Sequence, residues 1–154
     1  MITSTFERFL KELEPFFNCP LVPDPNHSCL IQMKSGLQIQ IELDRRGHLL
    51  IAAILGTFVA SRYRDNLIVE ALKSNAVSLP SLGVFGYSQK TNQLVYFLFC
   101  DGQNIQVEKI LPILPLFMAK AQAWFEALTH GDMPPSQLDS THMQDAAGLF
   151  GLKP

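Results

Sequence analysis

Behind Ser4, apolar Phe6, Phe9, Leu10 and Leu13 recur at the spacing of one helix face, and Glu7 stands where the second member of a capping box belongs. This predicts a first helix that stops near Glu14, because Pro15 disfavours helical geometry in the residue before it. A loop carrying Pro20, Pro23 and Pro25 follows. From Cys29 the reading changes to strand. Leu37, Ile39, Ile41 and Leu43 alternate with Gln38, Gln40, Glu42 and Asp44, so this strand has one apolar face and one polar face. Ser35 with Gly36, and Arg45, Arg46 and Gly47, have the residues of tight turns. Leu49 to Ile54 then completes a three-stranded antiparallel meander. A second helix is predicted over Arg62 to Ala76. Its polar side is narrow, and its apolar residues from Leu67 and Ala71 round to Val69 and Ala76 span an arc of roughly 200° at helical spacing. Pro80 closes that segment. Val84 to Ser88, a polar turn from Gln89 to Gln93, and Leu94 to Cys100 read as a hairpin. The closing helix carries Trp124, Phe125 and Leu128. Either Pro112 or Pro115 suits its first position, and His130 and Gly131 suit its end.

The order is helix, three-stranded antiparallel meander, helix, β-hairpin, helix, which is an α+β domain over residues 1–131. Residues 132–154 show no sustained periodicity and are expected to form a mobile tail. The strand Leu94 to Cys100 has no polar member. Leu94, Tyr96, Leu98 and Cys100 point to one face and Val95, Phe97 and Phe99 to the other, so both faces need cover. The closing helix can cover one. A second copy of the protein, or a partner, is the simplest cover for the other. A dimer is therefore expected, with Val69, Leu72 and Ala76 of the second helix and Val95 and Phe97 of the strand at its interface.

Composition agrees with a buried subunit contact: apolar residues make up 47% of the 154 residues and charged residues only 17%. A net charge of −2 and a pI near 6.0 predict no sequence-independent attraction to nucleic acid or anionic lipid. The three cysteines, Cys19, Cys29 and Cys100, lie at no regular spacing and point to a reducing compartment. The residues Met1 to Thr5 carry no basic segment and the longest apolar runs have seven residues, so a soluble cytoplasmic protein with no membrane span is expected.

Candidate chemistry is sparse. No phosphate-cradling glycine loop is present, and no cofactor is expected. Cys19, His27 and Cys29 lie in or beside a proline-rich loop and read as a buried thiol and a solvated histidine, so no metal is expected. Glu42, Asp44 and His48 cluster at a hairpin tip, where turn closure is the simpler role than proton transfer. Phe85, Tyr87, Tyr96, Phe97 and Phe99 lack the interleaved Lys and Arg of a base-stacking sheet and read as core and interface.

Several local patterns resemble the CesT/Tir family, the class I chaperones of bacterial type III secretion. Phe6 to Leu13 resembles its first helix, and Pro20, Leu21 and Asp24 leading to Cys29, Leu30 and Ile31 resemble its approach to the first strand. Leu50 to Gly56 is similar to its third strand, and Ala71, Leu72 and Asn75 to the end of its second helix. Leu82, Gly83, Gly86 and Tyr87 are similar to the hairpin entry, and Phe117, Trp124 and Leu128 to the closing helix. The resemblance implies a dimer, of two identical chains or with a related chain, that uses no nucleotide. It also implies that the protein holds the N-terminal region of a secreted effector in an extended, export-competent state. In that family helix one and its neighbouring strands border the effector grooves, which makes Phe6, Phe9, Leu10, Leu13, Ile39, Ile41 and Leu43 the candidate effector-binding residues, their outer members expected to stay accessible. Two rival readings are a subunit of a heterodimeric export regulator and a small dimeric enzyme acting on acyl thioesters through Glu42 or Glu70.

Overall fold

The computed structural model describes residues 4–77, 83–101 and 106–135. Its elements are α1 Thr5–Phe17, β1 Ser28–Gln32, β2 Gln38–Leu43, β3 His48–Thr57, α2 Arg62–Val77, β4 Val84–Ser88, β5 Gln93–Asp101, α3 Val107–Ile110 and α4 Leu114–Thr129. The fold is α+β in the order read from the sequence. All five strands belong to one sheet, ordered β1-β2-β3-β5-β4. The meander and the hairpin join antiparallel through β3 and β5, from His48 opposite Asp101 to Thr57 opposite Gln93, with a bulge between Ile54 and Gly56. Pro80, and the tail beyond Pro135, lie outside the described residues.

The capping box forms: Ser4 Oγ accepts from the Glu7 amide at 3.1 Å, and Glu7 Oε2 accepts from the Ser4 amide at 3.3 Å. The helix does not stop at Glu14, however, but runs through Pro15 to Phe17. Pro15 lies in the last turn, where its ring removes only the bond to the carbonyl four residues back. Two features hold that turn: Phe17 is buried, and left-handed Asn18 donates its amide to Glu14 O at 2.7 Å. Glu14 also accepts the Leu21 amide through Oε1, which fastens the proline-rich loop to the helix.

Period-two alternation becomes a two-faced sheet. Ile39 and Ile41 are fully buried, while Gln38, Gln40 and Glu42 between them remain partly exposed. On the inner face the Phe85 ring lies 4.5 Å from Tyr96 and 4.1 Å from Trp124, and Tyr96 stacks on Phe117 at 4.9 Å. The four aromatics thereby bind the hairpin to α4. Burial pushes the Tyr96 hydroxyl pKa up to about 12. The two prolines divide the closing helix: α3 ends at Ile110, Pro112 lies in the intervening turn, and Pro115 occupies the first turn of α4. At the other end Gly131 takes a left-handed φ of 71°, as the sequence predicts for a C-cap, and His130 Nδ1 lies 2.8 Å from Glu126 O. Order continues a little past residue 131, since Tyr63 donates its hydroxyl to Asp132 O at 2.7 Å and Pro134 is buried.

Candidate protein-binding surfaces

Helix one and the meander do not offer the accessible stripe expected from the sequence. Phe6, Phe9, Leu10, Leu13, Ile39 and Ile41 are all at most 3% exposed and belong to the central core. Only Leu43 keeps partial exposure. The physical reason is that a sheet with helices on one face needs these side chains to fill its own interior. An amphipathic stripe read from sequence does not say whether its apolar face meets the chain itself or a partner.

What stays open is backbone. Leu43 N donates to His27 O, and Met33 N donates to Leu37 O, so the odd-numbered residues of β1 direct their peptide groups toward β2. Leu30 and Gln32 therefore point theirs outward, along the free edge of the sheet. The Leu30 side chain is 59% exposed, and Val22, in the loop that leads to this strand, is 75% exposed. Ser28 at the start of the strand is already occupied, its amide by Asp24 Oδ1 and its carbonyl by the Asp24 amide. At the opposite edge one outward residue is occupied. On β4 the outward amide of Phe85 donates to Asn75 Oδ1 at 2.8 Å, and its carbonyl accepts from Asn75 Nδ2 at 2.9 Å.

A second open region combines α2 with the outer face of β5. Only Leu67 and Ala71 of α2 are buried. Val69 is 47% exposed and Leu72 62%, and Ala76 is also exposed. Leu72 stands on the rim of a shallow apolar recess lined by Ile68, Ala71, Phe85 and Leu94. On β5, Leu94, Tyr96 and Leu98 are buried beneath the helices, while Val95 and Phe97 are half-buried and Phe99 is 56% exposed. Pairing sets Leu50, Ala52 and Ile54 of β3 beside Phe99, Phe97 and Val95, which extends the apolar strip on the outer face. The five residues named for an interface thus all retain exposed surface.

The polar clusters are structural. Asp44 Oδ1 accepts the amides of Arg46 and His48, both at 2.8 Å, and its Oδ2 lies 3.1 Å from His48 Nδ1. The His48 amide, with the other turn contacts, holds the Asp44 carboxyl below its ordinary pKa. Glu42 lies on the outer side of β2, and Glu70 pairs with Lys73 at 3.5 Å. The Cys29 thiol is pushed up chiefly by burial, and the His27 ring stands edge-on to Phe6 at 6.2 Å. Among the described residues no group of three or more His, Cys, Asp or Glu side chains could hold a metal ion. No helix of the described residues is long and apolar enough to cross a membrane.

Among the described residues the α+β core thus presents an open strand edge at β1 and an apolar flank on α2 and the outer face of β5. The chain belongs to the Tir chaperone protein (CesT) family, whose sequence profile matches residues 8–125. None of the curated proteins matches it. Among solved structures it is similar to the HopA1–SchA chaperone–effector complex, at 16% identity and a TM-score of 0.59, covering 82% of this chain and 100% of the other. The ExsC–ExsE complex is similar at 16% identity and a TM-score of 0.61, over 81% and 94% of the two chains. The Pseudomonas aeruginosa ExoU–SpcU complex of the type III secretion system is similar at 16% identity and a TM-score of 0.56, over 78% and 94%.

Proposed function

We propose that this protein is a cytoplasmic bacterial type III secretion chaperone that works as a dimer. It binds the N-terminal region of a secreted effector in an extended state, without nucleotide, metal or other cofactor. Family membership supports the class, and the similar solved structures include a chaperone bound to its effector. The observation that carries the mode of binding is the open edge of β1, where Leu30 and Gln32 face outward. An extended segment laid along this edge continues the sheet and leaves its own side chains to settle over Leu30 and Val22. This replaces the buried stripe of α1 and β2 as the receiving surface. The apolar strip of α2 and β5 is the proposed contact with the second copy, which covers what the helices leave open. Catalysis finds no support, since Glu42 lies on the open side of β2 and Glu70 is engaged by Lys73.

The test is co-purification from the native cell, followed by identification of the captured protein and protease mapping of the region the chaperone shields. A secreted protein shielded only near its N-terminus is the expected result. Leu30→Pro then probes the edge, because it deletes an outward amide while leaving the β1–β2 ladder intact. A folded Leu30→Pro protein that captures the same partner equally well would place the segment elsewhere.

A further inference from the structure

Helix α2 carries the proposed contact surface, yet its apolar attachment is slight: of its 16 residues only Leu67 and Ala71 are buried. The half-buried Tyr63 and Ile68 add apolar contact, and polar bonds add to it. Arg64 Nη1 reaches the Tyr87 hydroxyl at 3.4 Å, and Lys120 Nζ donates to Ser74 Oγ at 2.6 Å. Asn75 differs from both in engaging the sheet's own backbone. Its carboxamide donates to the Phe85 carbonyl and accepts from the Phe85 amide. A residue of an added antiparallel strand would offer the same donor and acceptor.

We propose that Asn75 is a positioning residue: its carboxamide stands in for a neighbouring strand on β4 and fixes α2 so that Val69 and Leu72 face outward as a set surface for a second copy. The anchor is firm because the Phe85 ring is held from the inner face by Tyr96 and Trp124. Both bonds meet at one residue, so α2 can neither slide along the edge nor roll without stretching one of them. Leu72 stands three residues before Asn75, one helical turn away, and its place follows directly from this bond pair. The same pairing occupies the outward peptide groups of Phe85 on β4, whereas those of Leu30 and Gln32 on β1 stay open. This inference rests on the dimer reading given above.

The experiment uses the full chain and the variant Asn75→Asp, with dimer dissociation followed by fluorescence at sub-micromolar concentration and backbone exchange followed by NMR. An ionised carboxylate still accepts from the Phe85 amide but has nothing to donate to its carbonyl, whereas a protonated carboxyl group restores the donor. The Phe85 amide of the unmodified protein is expected to exchange more slowly than that of Leu30 on the open edge. Asn75→Asp is expected to raise the dimer Kd roughly tenfold at pH 7 and, measured beside the unmodified protein at each pH, to return toward it only as the pH falls through and below about 3.9. Asn75→Ala is expected to weaken the dimer at every pH, and serves if Asn75→Asp does not fold at neutral pH. The inference is overturned if the Phe85 amide exchanges as fast as that of Leu30, if Asn75→Asp dimerises like the unmodified protein, or if its defect does not depend on pH. A monomeric unmodified protein instead overturns the dimer reading, and this inference with it.

Discussion

Leu72→Asp separates association from folding more sharply than any other single change. In the free chain Leu72 is 62% exposed, so an aspartate there meets water, and the cost to folding should stay within about 1 kcal/mol, mostly helix propensity. At an interface the accounting differs. Full burial of a leucine side chain is worth about 1.5–3 kcal/mol, so burying the 62% left open contributes about 1–2 kcal/mol per copy. In a two-fold dimer both copies lose it, about 2–4 kcal/mol in all, which weakens association by roughly 30- to 1,000-fold before any desolvation of the two carboxylates is added. Sedimentation velocity across a concentration series, with a thermal melt of the same samples, reads both quantities. Leu67→Asp is the contrasting control: at 1% exposure it places a charge in the core and should prevent folding. A Leu72→Asp protein that dimerises as tightly as the unmodified one would show that the open face of α2 is not the contact.

Above pH 10 the unfolded chain loses the Tyr96 proton before the folded one does, because burial raises the folded pKa to about 12. Between these values the unfolded state binds fewer protons, and this residue's contribution to stability should fall by about 1.4 kcal/mol per pH unit. Tyr96→Phe should remove that component from denaturant midpoints measured over the same range. Ser4→Ala deletes the capping hydroxyl of α1 and should cost about 1 kcal/mol in urea unfolding, with no change in dimer affinity. A chain ending at Pro135 should keep the melting temperature of the full protein, whereas one ending at Gly131 also loses the Tyr63 bond to Asp132 and should be less stable by about 1 kcal/mol.

Elements with a strong local signal were legible. The alternation from Leu37 to Leu43 and the capping box at Ser4 and Glu7 depend on neighbours two to four residues apart, and the structure forms both. Pro15 misled because helix termination is a local preference, whereas the burial of Phe17 that outweighs it is tertiary. The apolar strand Leu94 to Cys100 called for two covers; the helices supply one, and Val95, Phe97 and Phe99 on the other face keep exposed surface. The stripe on α1 could not be assigned in the same way. Core and groove have the same composition, and only the volume enclosed by the whole fold decides that Phe9 and Ile41 are interior. The open edge of β1 and the role of Asn75 were beyond reach for another reason: both follow from strand order, which puts β4 at one margin and β1 at the other, and no local pattern encodes that order.

The short open edge also bears on why such a protein would act as a dimer. Two outward residues, Leu30 and Gln32, offer at most four backbone hydrogen bonds to an added strand, worth about 2–6 kcal/mol in total. Ordering a segment of five residues costs about 5–10 kcal/mol in backbone entropy, so edge pairing in one copy does not by itself hold a disordered chain. Side-chain burial over Leu30 and Val22 narrows the gap, and a second edge closes it by making the next contact intramolecular. Within one sheet β1 and β4 lie at opposite margins, about 19 Å apart at four strand spacings. In the proposed dimer a two-fold axis running parallel to β5 would set the two β1 edges at the far ends of the assembly. A client that engages both must cross the molecule in extended form, which keeps it from folding while it is bound. With charged residues at only 17% of the chain, this affinity should depend on the length of client ordered and little on salt.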